Sequence, residues 1–408
     1  MKSHLDVEKI REDFPQLKTR VNNKPLIYLD NAATTLKPKV VIDAIAQHLS
    51  FNVANVHRGI HTLSEMGTRQ FEETRIAVQK LLNARHDYEV IYTKGTTEAI
   101  NLLANSFGEK YLSAGDEILL SEMEHHSNIV PWQMIAEKKG AKIIVVPVED
   151  NGDLSLEKYK NLLSNKTKMV SIVQTSNTLG TINPVKEMVK LAHEVGAKIC
   201  IDAAQSIAHM KVDVQDLDCD FLVFSAHKMY GPNGLGFLYG KEELLNQMPP
   251  YQGGGSMISE VRFEKTTYNI LPNKFEAGTP AIAEVIAFKM ALDYVADIGI
   301  ANIEAYEHEL LEYATDEIKK ISGVRLIGTS KNKAGVLAFV IEGVHPQDLG
   351  TILDKQGVAI RTGHHCCQPL HRRYGVTATA RASFSFYNNI HDVDVFIAAI
   401  KKAKEFLL

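Results

Sequence analysis

The chain has 408 residues, of which 45% are hydrophobic, so it can bury a large core and is expected to fold as two domains. Its formal net charge is -4 and its 45 lysines and arginines are spread along the chain, which argues against binding to nucleic acid or to an anionic membrane surface. The N-terminal segment lacks an apolar signal core, and no later apolar run reaches the ~20 residues of a membrane span, so we expect no membrane segment. Four cysteines are too few for a disulfide framework, so we expect a cytoplasmic protein.

The first helical pattern with an apolar face is PKVVIDAIAQHLSF, residues 38–51. Apolar residues spaced three and four positions apart predict an amphipathic helix. The predicted face contains Val41, Ile42, Ile45, Ala46 and Leu49.

Short apolar runs alternate with helical patterns from about residue 88 to residue 240. Most runs are continuously apolar, as strands covered on both faces are, and the helices between them favour a mostly parallel α/β sheet of seven strands. We place this sheet in a large domain, residues 22–290. The predicted strands are residues 89–93, 117–121, 142–148, 169–176, 198–203, 221–226 and 235–240.

The pattern changes after about residue 290. Helical patterns at ANIEAYEHELLEYATDEIKKI, HPQDLGTILDKQG and DVDVFIAAIKKAKEFLL alternate with strand-like runs at VLAFVIEG, VAIR and ARASFSFY. This order predicts a smaller α+β domain, residues 291–408, joined by the N-terminal segment 1–21.

The segment FSAHKMYGPNGLGFLYG carries the strongest chemical signal. Lys228 follows a buried strand and precedes a turn rich in glycine and proline, where packing gives no reason for a lysine. Taken alone, it could be a solvated loop lysine. Ser225 and His227 beside it are suitable for binding a phosphate or for flanking a lysine bonded to a carbonyl cofactor.

Polar groups also follow a neighbouring apolar run. In ICIDAAQSIAH, Asp202 and Gln205 lie at the C-terminal end of a strand, which is where open parallel sheets bind ligands. A carboxylate in this position is costly unless it meets a cation or donors, and a protonated pyridine nitrogen would satisfy it. Asp202 alone could equally be a helix N-cap.

Two further turns add to this pattern. In YTKGTTEAINLL, Thr96 and Thr97 begin a helix whose free N–H groups make an anion site, and the absence of a Walker pattern favours a lone phosphate. SEMEHHSNIVPWQ offers His125 and His126, either as loop histidines or as imidazoles that stack on a planar cofactor or shuttle protons.

These signals converge because each lies at the C-terminal end of a predicted strand. A lysine, a strand-end carboxylate, a phosphate cradle and a histidine are the parts that pyridoxal phosphate requires. The sequence therefore predicts pyridoxal 5'-phosphate as the cofactor.

The chain resembles the class V, fold-type I pyridoxal-phosphate enzymes and, within them, the group II, Suf-type cysteine desulfurases. The resemblance runs nearly end to end and rests on YLDNAATT, VHRGIHTLS, GTTEAINL, MEHHSNIVPWQ, DAAQSIAH, FSAHKMYGPNGLG, GGGSMI, FEAGTP and RTGHHCCQPL. It implies a PLP-dependent transferase fold with a large, mostly parallel seven-stranded sheet domain and a smaller α+β C-terminal domain. The implied reaction converts L-cysteine to L-alanine and leaves a persulfide on the enzyme, as a sulfur source for iron–sulfur cluster assembly. Many such enzymes also accept L-selenocysteine.

The resemblance implies roles for the cofactor-binding residues. Lys228 would bind the cofactor covalently and remove the Cα proton of the substrate. Asp202 would pair with the pyridine nitrogen, Gln205 would donate to the ring hydroxyl, and His125 would stack on the ring. The implied phosphate ligands are Thr97, Ser225, His227 and, from the second subunit of a homodimer, Thr279.

The resemblance also implies a clamp for the substrate carboxylate, formed by Arg381 in TARASFSF and by Asn177. Arg361 would help to hold either this clamp or the neighbouring loop.

The segment AIRTGHHCCQPLHRRYG, residues 359–375, contains two histidines followed by two cysteines. The family pattern makes Cys366 the nucleophile that accepts sulfur, with His364 or His365 as a nearby base. The spacing of a structural zinc site is absent and a vicinal disulfide would be strained, so neither is favoured, and no metal is expected. Adjacent side chains in an extended loop point apart, so we predict that Cys367 is a buried bystander, while a role in sulfur relay or oxidation sensitivity stays open.

Two other functions stay open at this point. One is a selenocysteine lyase or another class V eliminating or transaminating enzyme, and the other is a catalytically idle sulfur carrier or scaffold. The intact set of lysine, aspartate and cysteine argues against the second. The expected partners are a second copy of the chain and a sulfur acceptor of the SufE or SufU type.

Overall fold

The computed structural model describes residues 5–408. The helices are α1 (Val7–Glu12), α2 (Lys39–Phe51), α3 (Thr62–Leu82), α4 (Thr96–Tyr111), α5 (Val130–Lys139), α6 (Leu156–Leu162), α7 (Val185–Glu194), α8 (Val214–Leu217), α9 (Glu242–Gln247), α10 (Ile282–Ile298), α11 (Ile300–Lys319), α12 (Pro346–Lys355), α13 (Gln368–Arg373) and α14 (Ile390–Leu407). The strands are β1 (Arg20–Val21), β2 (Lys24–Pro25), β3 (Ile27–Tyr28), β4 (Val90–Thr93), β5 (Glu117–Ser121), β6 (Lys142–Val146), β7 (Thr167–Val173), β8 (Lys198–Asp202), β9 (Phe221–Ser225), β10 (Gly236–Gly240), β11 (Ile258–Val261), β12 (Thr266–Tyr268), β13 (Val324–Ile327), β14 (Val336–Ile341), β15 (Val358–Ala359), β16 (Arg361–Gly363) and β17 (Thr379–Ser383).

The large sheet has seven strands in the order β4-β10-β9-β8-β7-β5-β6. Each of the seven predicted strands is present, and the mostly parallel arrangement is confirmed, with β10 antiparallel to both of its neighbours. The central strands are buried along their whole length, in agreement with their continuously apolar sequences. Strand β6 lies at the edge of the sheet and is only partly buried, so its apolar run does not have the two covered faces that we expected.

The topology brings several chain segments to one edge of this sheet. Because β10 runs antiparallel to both β4 and β9, these two strands point in the same direction and end at the same edge of the sheet, on either side of the start of β10. Gly236 at the start of β10 pairs with both Thr93 and Ser225. A Cβ atom on Gly236 would lie 2.4 Å from the Cα of Gly95, so only glycine fits between these two strand ends.

A second sheet of four strands, in the order β13-β14-β17-β16, forms the C-terminal unit with α11, α12 and α14. It has its own apolar core, which also contains Ile27 and Leu29. The N-terminal helix α1 reaches the same unit, because Arg11 in α1 pairs with the buried Asp392 of α14 at 2.9 Å. Helix α10 spans residue 290, and the boundaries of the two domains stay a prediction.

Helix α2 has the predicted bounds, but its apolar face was only partly predicted. Val41 is buried and Ile45 packs at the edge of the core, whereas Ile42 and Leu49 are 45% and 61% exposed. Helix α2 packs against α10 with the side that carries Val41, and Ile42 and Leu49 lie toward solvent beside this packed side. None of the described helices is long and apolar enough to cross a membrane.

Candidate active site

One cavity of about 280 Å³ collects almost every residue that the sequence singled out. It lies between the carboxyl edge of the large sheet and the C-terminal unit. Of the predicted site residues, Thr279 is the exception. The predicted residues that line the cavity are Thr97, His125, Asn177, Asp202, Gln205, Ser225, His227, Lys228, Arg361, Cys366 and Arg381.

The N-terminus of α4 forms one end of this cavity. Gly95 precedes the helix with φ of 153° and provides no side-chain cap, so N–H groups of the first turn stay available to an anion. Ser225 at the end of β9 is fixed beside it, because its Oγ accepts a hydrogen bond from the Thr96 N–H at 2.8 Å. Thr97 is exposed at the same helix end. The chain thus offers hydroxyl and N–H donors to a single phosphate.

The floor of the cavity contains a buried carboxylate. One oxygen of Asp202 accepts a hydrogen bond from the Ala204 N–H at 2.9 Å, while the other accepts none from residues 5–408. Burial raises the pKa of the Asp202 carboxyl above its ordinary value, and the Ala204 N–H and the charge of Lys228 oppose this effect. Gln205 is held nearby, with its Nε2 donating to the carbonyl oxygen of Ala32 at 2.7 Å.

Three basic side chains, Lys228, His125 and His227, line the same cavity as this carboxylate. Burial lowers the pKa of Lys228, and Asp202 acts in the opposite direction. Burial and the nearby Lys228 hold the pKa of both His125 and His227 at about 4, so both imidazoles are neutral near pH 7. The Nδ1 of His125 lies 2.8 Å from the Ser127 hydroxyl, which fixes the orientation of the ring.

Cys366 lies in a tight turn rather than in the extended loop that we expected. The Cys367 N–H donates to the His364 carbonyl oxygen at 2.8 Å, and the two central residues, His365 and Cys366, have φ of 49° and 57°. Positive φ at two residues other than glycine is strained and occurs mainly at functional sites. The His126 N–H holds this turn by donating to the Cys366 carbonyl oxygen at 2.7 Å.

The two adjacent cysteines have opposite surroundings. Cys366 is exposed, whereas Cys367 is completely buried and its Sγ lies 3.2 Å from the Oδ1 of Asn177. Burial raises the pKa of the Cys367 thiol to about 12. The amide nitrogen of Asn177 donates to the His365 carbonyl oxygen at 2.7 Å, so this side chain contacts the turn on both sides of Cys366.

The two histidines of the turn also differ. His364 is exposed, while His365 is buried and its Nε2 lies 2.8 Å from the Thr379 hydroxyl. Burial and the charge of Arg381 lower the pKa of His365 to about 2. His365 is therefore neutral near pH 7 and carries no charge that would stabilise a thiolate.

Arg361 and Arg381 form the wall beside the turn. Arg381 is 2% exposed and its Nη1 donates to the Asn177 carbonyl oxygen at 2.7 Å. Its Nε is buried and has no hydrogen-bond partner among residues 5–408.

Thr279 lies apart from the other predicted residues. It is exposed and lines a separate cavity of about 700 Å³. The segment that carries it is fixed by Glu276, whose carboxylate accepts hydrogen bonds from the buried Arg75 at 2.7 Å and 3.0 Å and from the Tyr92 N–H at 2.8 Å. The separation is consistent with the prediction that Thr279 serves a different subunit.

Two residues around the site were not singled out in the sequence. Asp30 contacts both arginines, and the Lys37 Nζ donates to the His227 carbonyl oxygen at 2.8 Å, directly before Lys228. Burial lowers the pKa of Lys37 to about 7. Asp30 lies in YLDNAATT, where a carboxylate directly follows a short apolar run. This pattern could have marked Asp30 as a site residue, as it did for Asp202.

The comparisons with known proteins agree with this geometry. Residues 27–396 match the family described as aminotransferase class-V. A cysteine desulfurase of Synechococcus elongatus is 50% identical over 398 residues, which cover 98% of this chain and 64% of that longer protein. A probable cysteine desulfurase of Vibrio cholerae is 48% identical over 403 residues, covering 99% of this chain and 100% of that one. The chain belongs to the cysteine desulfurases of the class-V aminotransferase family.

Solved structures of cysteine desulfurases have the same fold. The crystal structure of the cysteine desulfurase CsdA from Escherichia coli, in its S-sulfonic acid form, superposes with a TM-score of 0.92 at 39% identity and covers 99% of this chain and 100% of that one. The predicted class-V family, the fold-type I architecture and the family's cofactor, pyridoxal phosphate, are therefore confirmed.

The cavity of this chain fits pyridoxal phosphate. The uncapped start of α4 with Ser225 suits the phosphate, and the free oxygen of Asp202 suits a protonated ring nitrogen. Lys228 supplies the amine for covalent attachment. Residues 5–408 contain no group of three or more histidine, cysteine or acidic side chains that would hold a metal ion.

Proposed function

We propose that this chain carries out the reaction of its family by itself, converting L-cysteine to L-alanine and forming a persulfide on Cys366. The observation that carries the proposal is the placement of an exposed thiol on the wall of the cavity that also contains Lys228 and Asp202. We infer that the chain belongs to the group II, Suf-type branch, because the thiol follows a pair of histidines in RTGHHCCQPL.

The proposed residue roles follow from their surroundings. Pyridoxal phosphate, when bound, supplies a reactive carbonyl and an electron-withdrawing ring. Asp202 would favour a positive charge on the ring nitrogen, and Gln205, which lines the same cavity, would donate to the ring hydroxyl. Lys228, with its lowered pKa, is suited to take the Cα proton of the substrate, and the neutral His125 is suited to stack on the ring.

The sulfur step needs a thiolate at Cys366. Arg361 and Lys228 line the same cavity as Cys366, so the thiol is placed among positively charged side chains. The thiolate forms an S–S bond with the substrate sulfur while the substrate C–S bond breaks. The electron pair of that bond stays with the carbon fragment, which takes up a proton and leaves as L-alanine. The substrate carboxylate is held by Arg381, which lines the cavity, and Asn177 fixes the turn beside it.

We also propose a homodimer in which Thr279 completes the phosphate site of the second subunit. Thr279 is exposed and outside the cofactor cavity of its own chain, and α2 leaves Leu49 and Phe51 61% and 77% exposed. Mixing Lys228→Ala chains with Thr279→Ala chains should restore part of the activity through hybrid dimers. A fully active species with the light-scattering mass of one chain would exclude the dimer.

We infer that a protein of the SufE or SufU type accepts the sulfur, for iron–sulfur cluster assembly in the cytoplasm. All four cysteines are free thiols, which suits a reducing compartment. Titrating alanine release against each type of acceptor would identify the partner, and stimulation by neither would contradict this inference.

The activity itself is tested with the purified holoenzyme and L-cysteine. We expect L-alanine and a sulfur adduct on the enzyme in equal amounts during the first turnover. L-Selenocysteine measured in the same assay separates a desulfurase from a selenocysteine lyase, which is the second candidate. Absence of L-alanine from a protein that binds the cofactor would leave the idle scaffold as the better reading.

A further inference from the structure

Two positively charged side chains lie directly opposite each other in the small sheet. Arg361 of β16 and Arg381 of β17 are register partners in an antiparallel ladder. Like charges in this position repel each other and destabilise the strand pair. Both side chains also line the cofactor cavity, so a nearby negative charge would affect the sheet and the site together.

Asp30 provides this negative charge from a third segment, which follows β3. One of its carboxylate oxygens lies 3.0 Å from the Nε of Arg361 and 3.3 Å from the Nη2 of Arg381. The other lies 2.8 Å from the Nη2 of Arg361. The contact with Arg361 is therefore bidentate, which is the strong and directional form of an arginine–carboxylate pair.

The burial of Asp30 and Arg381 strengthens their electrostatic interaction. The side chains of Asp30 and Arg381 are 15% and 2% exposed, so water screens their interaction poorly, whereas Arg361 is 48% exposed. Asp202 and Lys228, which also line the cavity, have opposite charges. Two arginines and one aspartate leave a net charge of about +1 at the place where the substrate carboxylate is proposed to bind.

We propose that Asp30 is a specificity-determining positioning residue: it orients Arg361 and Arg381 and limits their net charge so that the site accepts a single carboxylate and rejects dicarboxylates. The inference rests on the proposed role of the two arginines as the substrate clamp. It names a feature of the substrate class, an amino acid with one carboxylate and no second negative charge.

The test compares two small anions without an amino group, propionate and malonate, as competitive inhibitors of the holoenzyme and as ligands that raise its melting temperature. In the wild type we expect malonate to bind no better than propionate. In Asp30→Asn the preference for malonate over propionate should rise about tenfold, because the clamp gains a full charge. Asp216→Asn, in an exposed ion pair on α8, is the matched control and should behave as the wild type.

A second set of variants tests how the net charge of Asp30, Arg361 and Arg381 affects anion binding. Arg361→Gln should weaken propionate binding about tenfold, because the clamp then has no net charge. The double variant Asp30→Asn with Arg361→Gln should regain propionate binding, whereas a purely structural role for Asp30 predicts that it binds more weakly than either single variant. Since Arg361 is half-exposed, Arg361→Gln gives a readout even where Asp30→Asn does not fold.

The outcomes separate the two proposals. If Arg381→Lys leaves propionate binding unchanged, Arg361 and Arg381 do not bind the substrate carboxylate, and the role proposed for these two arginines is wrong. If Arg381→Lys weakens propionate binding but Asp30→Asn keeps the wild-type preference, or Arg361→Gln binds propionate normally, the inference about Asp30 alone is overturned.

Discussion

The two walls of the active-site cavity differ in how firmly the chain holds them. The wall built by β8 and β9 consists of buried strand ends, and Asp202 and Ser225 are each tied to a backbone N–H. The facing wall is a turn of the C-terminal unit with two strained residues and an exposed thiol. The first arrangement suits a cofactor that stays in place, and the second suits a thiol that must receive sulfur inside the cavity and present it outside.

Lys228→Ala removes the amine of the firmly held wall and should have the largest effect. We expect activity to fall by about 10³-fold or more, because covalent attachment and proton transfer are lost together. After borohydride treatment and dialysis, the variant should retain no visible cofactor absorbance, whereas Lys190→Ala on the exposed side of α7 should match the wild type. A chromophore that stays covalently bound to Lys228→Ala would show that another residue carries the cofactor.

The two cysteines of the turn should separate activity from stability. Cys366→Ala should still bind L-cysteine but lose about 10²-fold or more of its alanine release with an acceptor protein, because no thiol remains at the cavity wall. Cys367→Ala should keep most activity and lose about 1 kcal/mol of stability, because it leaves a small buried void beside Asn177. Alanine assays and urea unfolding of both variants check this, and a reversed pattern would contradict the assignment.

Gly236→Ala tests how tightly the strand-end wall is packed. The added Cβ would lie 2.4 Å from Gly95, so we expect a loss of about 1–3 kcal/mol in the free energy of unfolding and weaker cofactor binding. Gly253→Ala is the matched control, because a Cβ there meets no atom within 4 Å. Equal stability of the two variants in urea titrations would mean that the strand ends are not closely packed.

The smallest effect concerns pH. His227 is held neutral, with a pKa of about 4 in the folded chain and ~6.5 when unfolded. A lowered folded pKa gives stability that is fully present above the unfolded pKa and is lost as the pH falls toward 4. Between pH 7.5 and 5, His227→Gln should therefore lose less unfolding free energy than the wild type. His391→Gln, at the exposed start of α14, should lose as much as the wild type, and parallel curves for all three proteins would contradict this account.

The sequence predicted the strand-end wall well, because buried parallel strands are continuously apolar and their polar end residues stand out. Asp202, Ser225 and Lys228 were found in this way. The turn was predicted less well, because no glycine marks the positive φ values of His365 and Cys366, and we expected an extended loop. Asp30 was missed because its partners are more than 300 positions away in the sequence. The burial of α2 was only partly predicted, because its packing against α10 decides which apolar residues are covered.

The most direct test of this account is to locate the sulfur after a single turnover. The holoenzyme is mixed with L-cysteine without an acceptor, the persulfide is trapped with an alkylating reagent, and the peptide that contains both cysteines is fragmented in a mass spectrometer. We predict that the additional sulfur is on Cys366 and that Cys367 is alkylated only after unfolding. Additional sulfur on Cys367, or none on either cysteine while L-alanine is formed, would contradict the assignment of the exposed thiol as the sulfur acceptor.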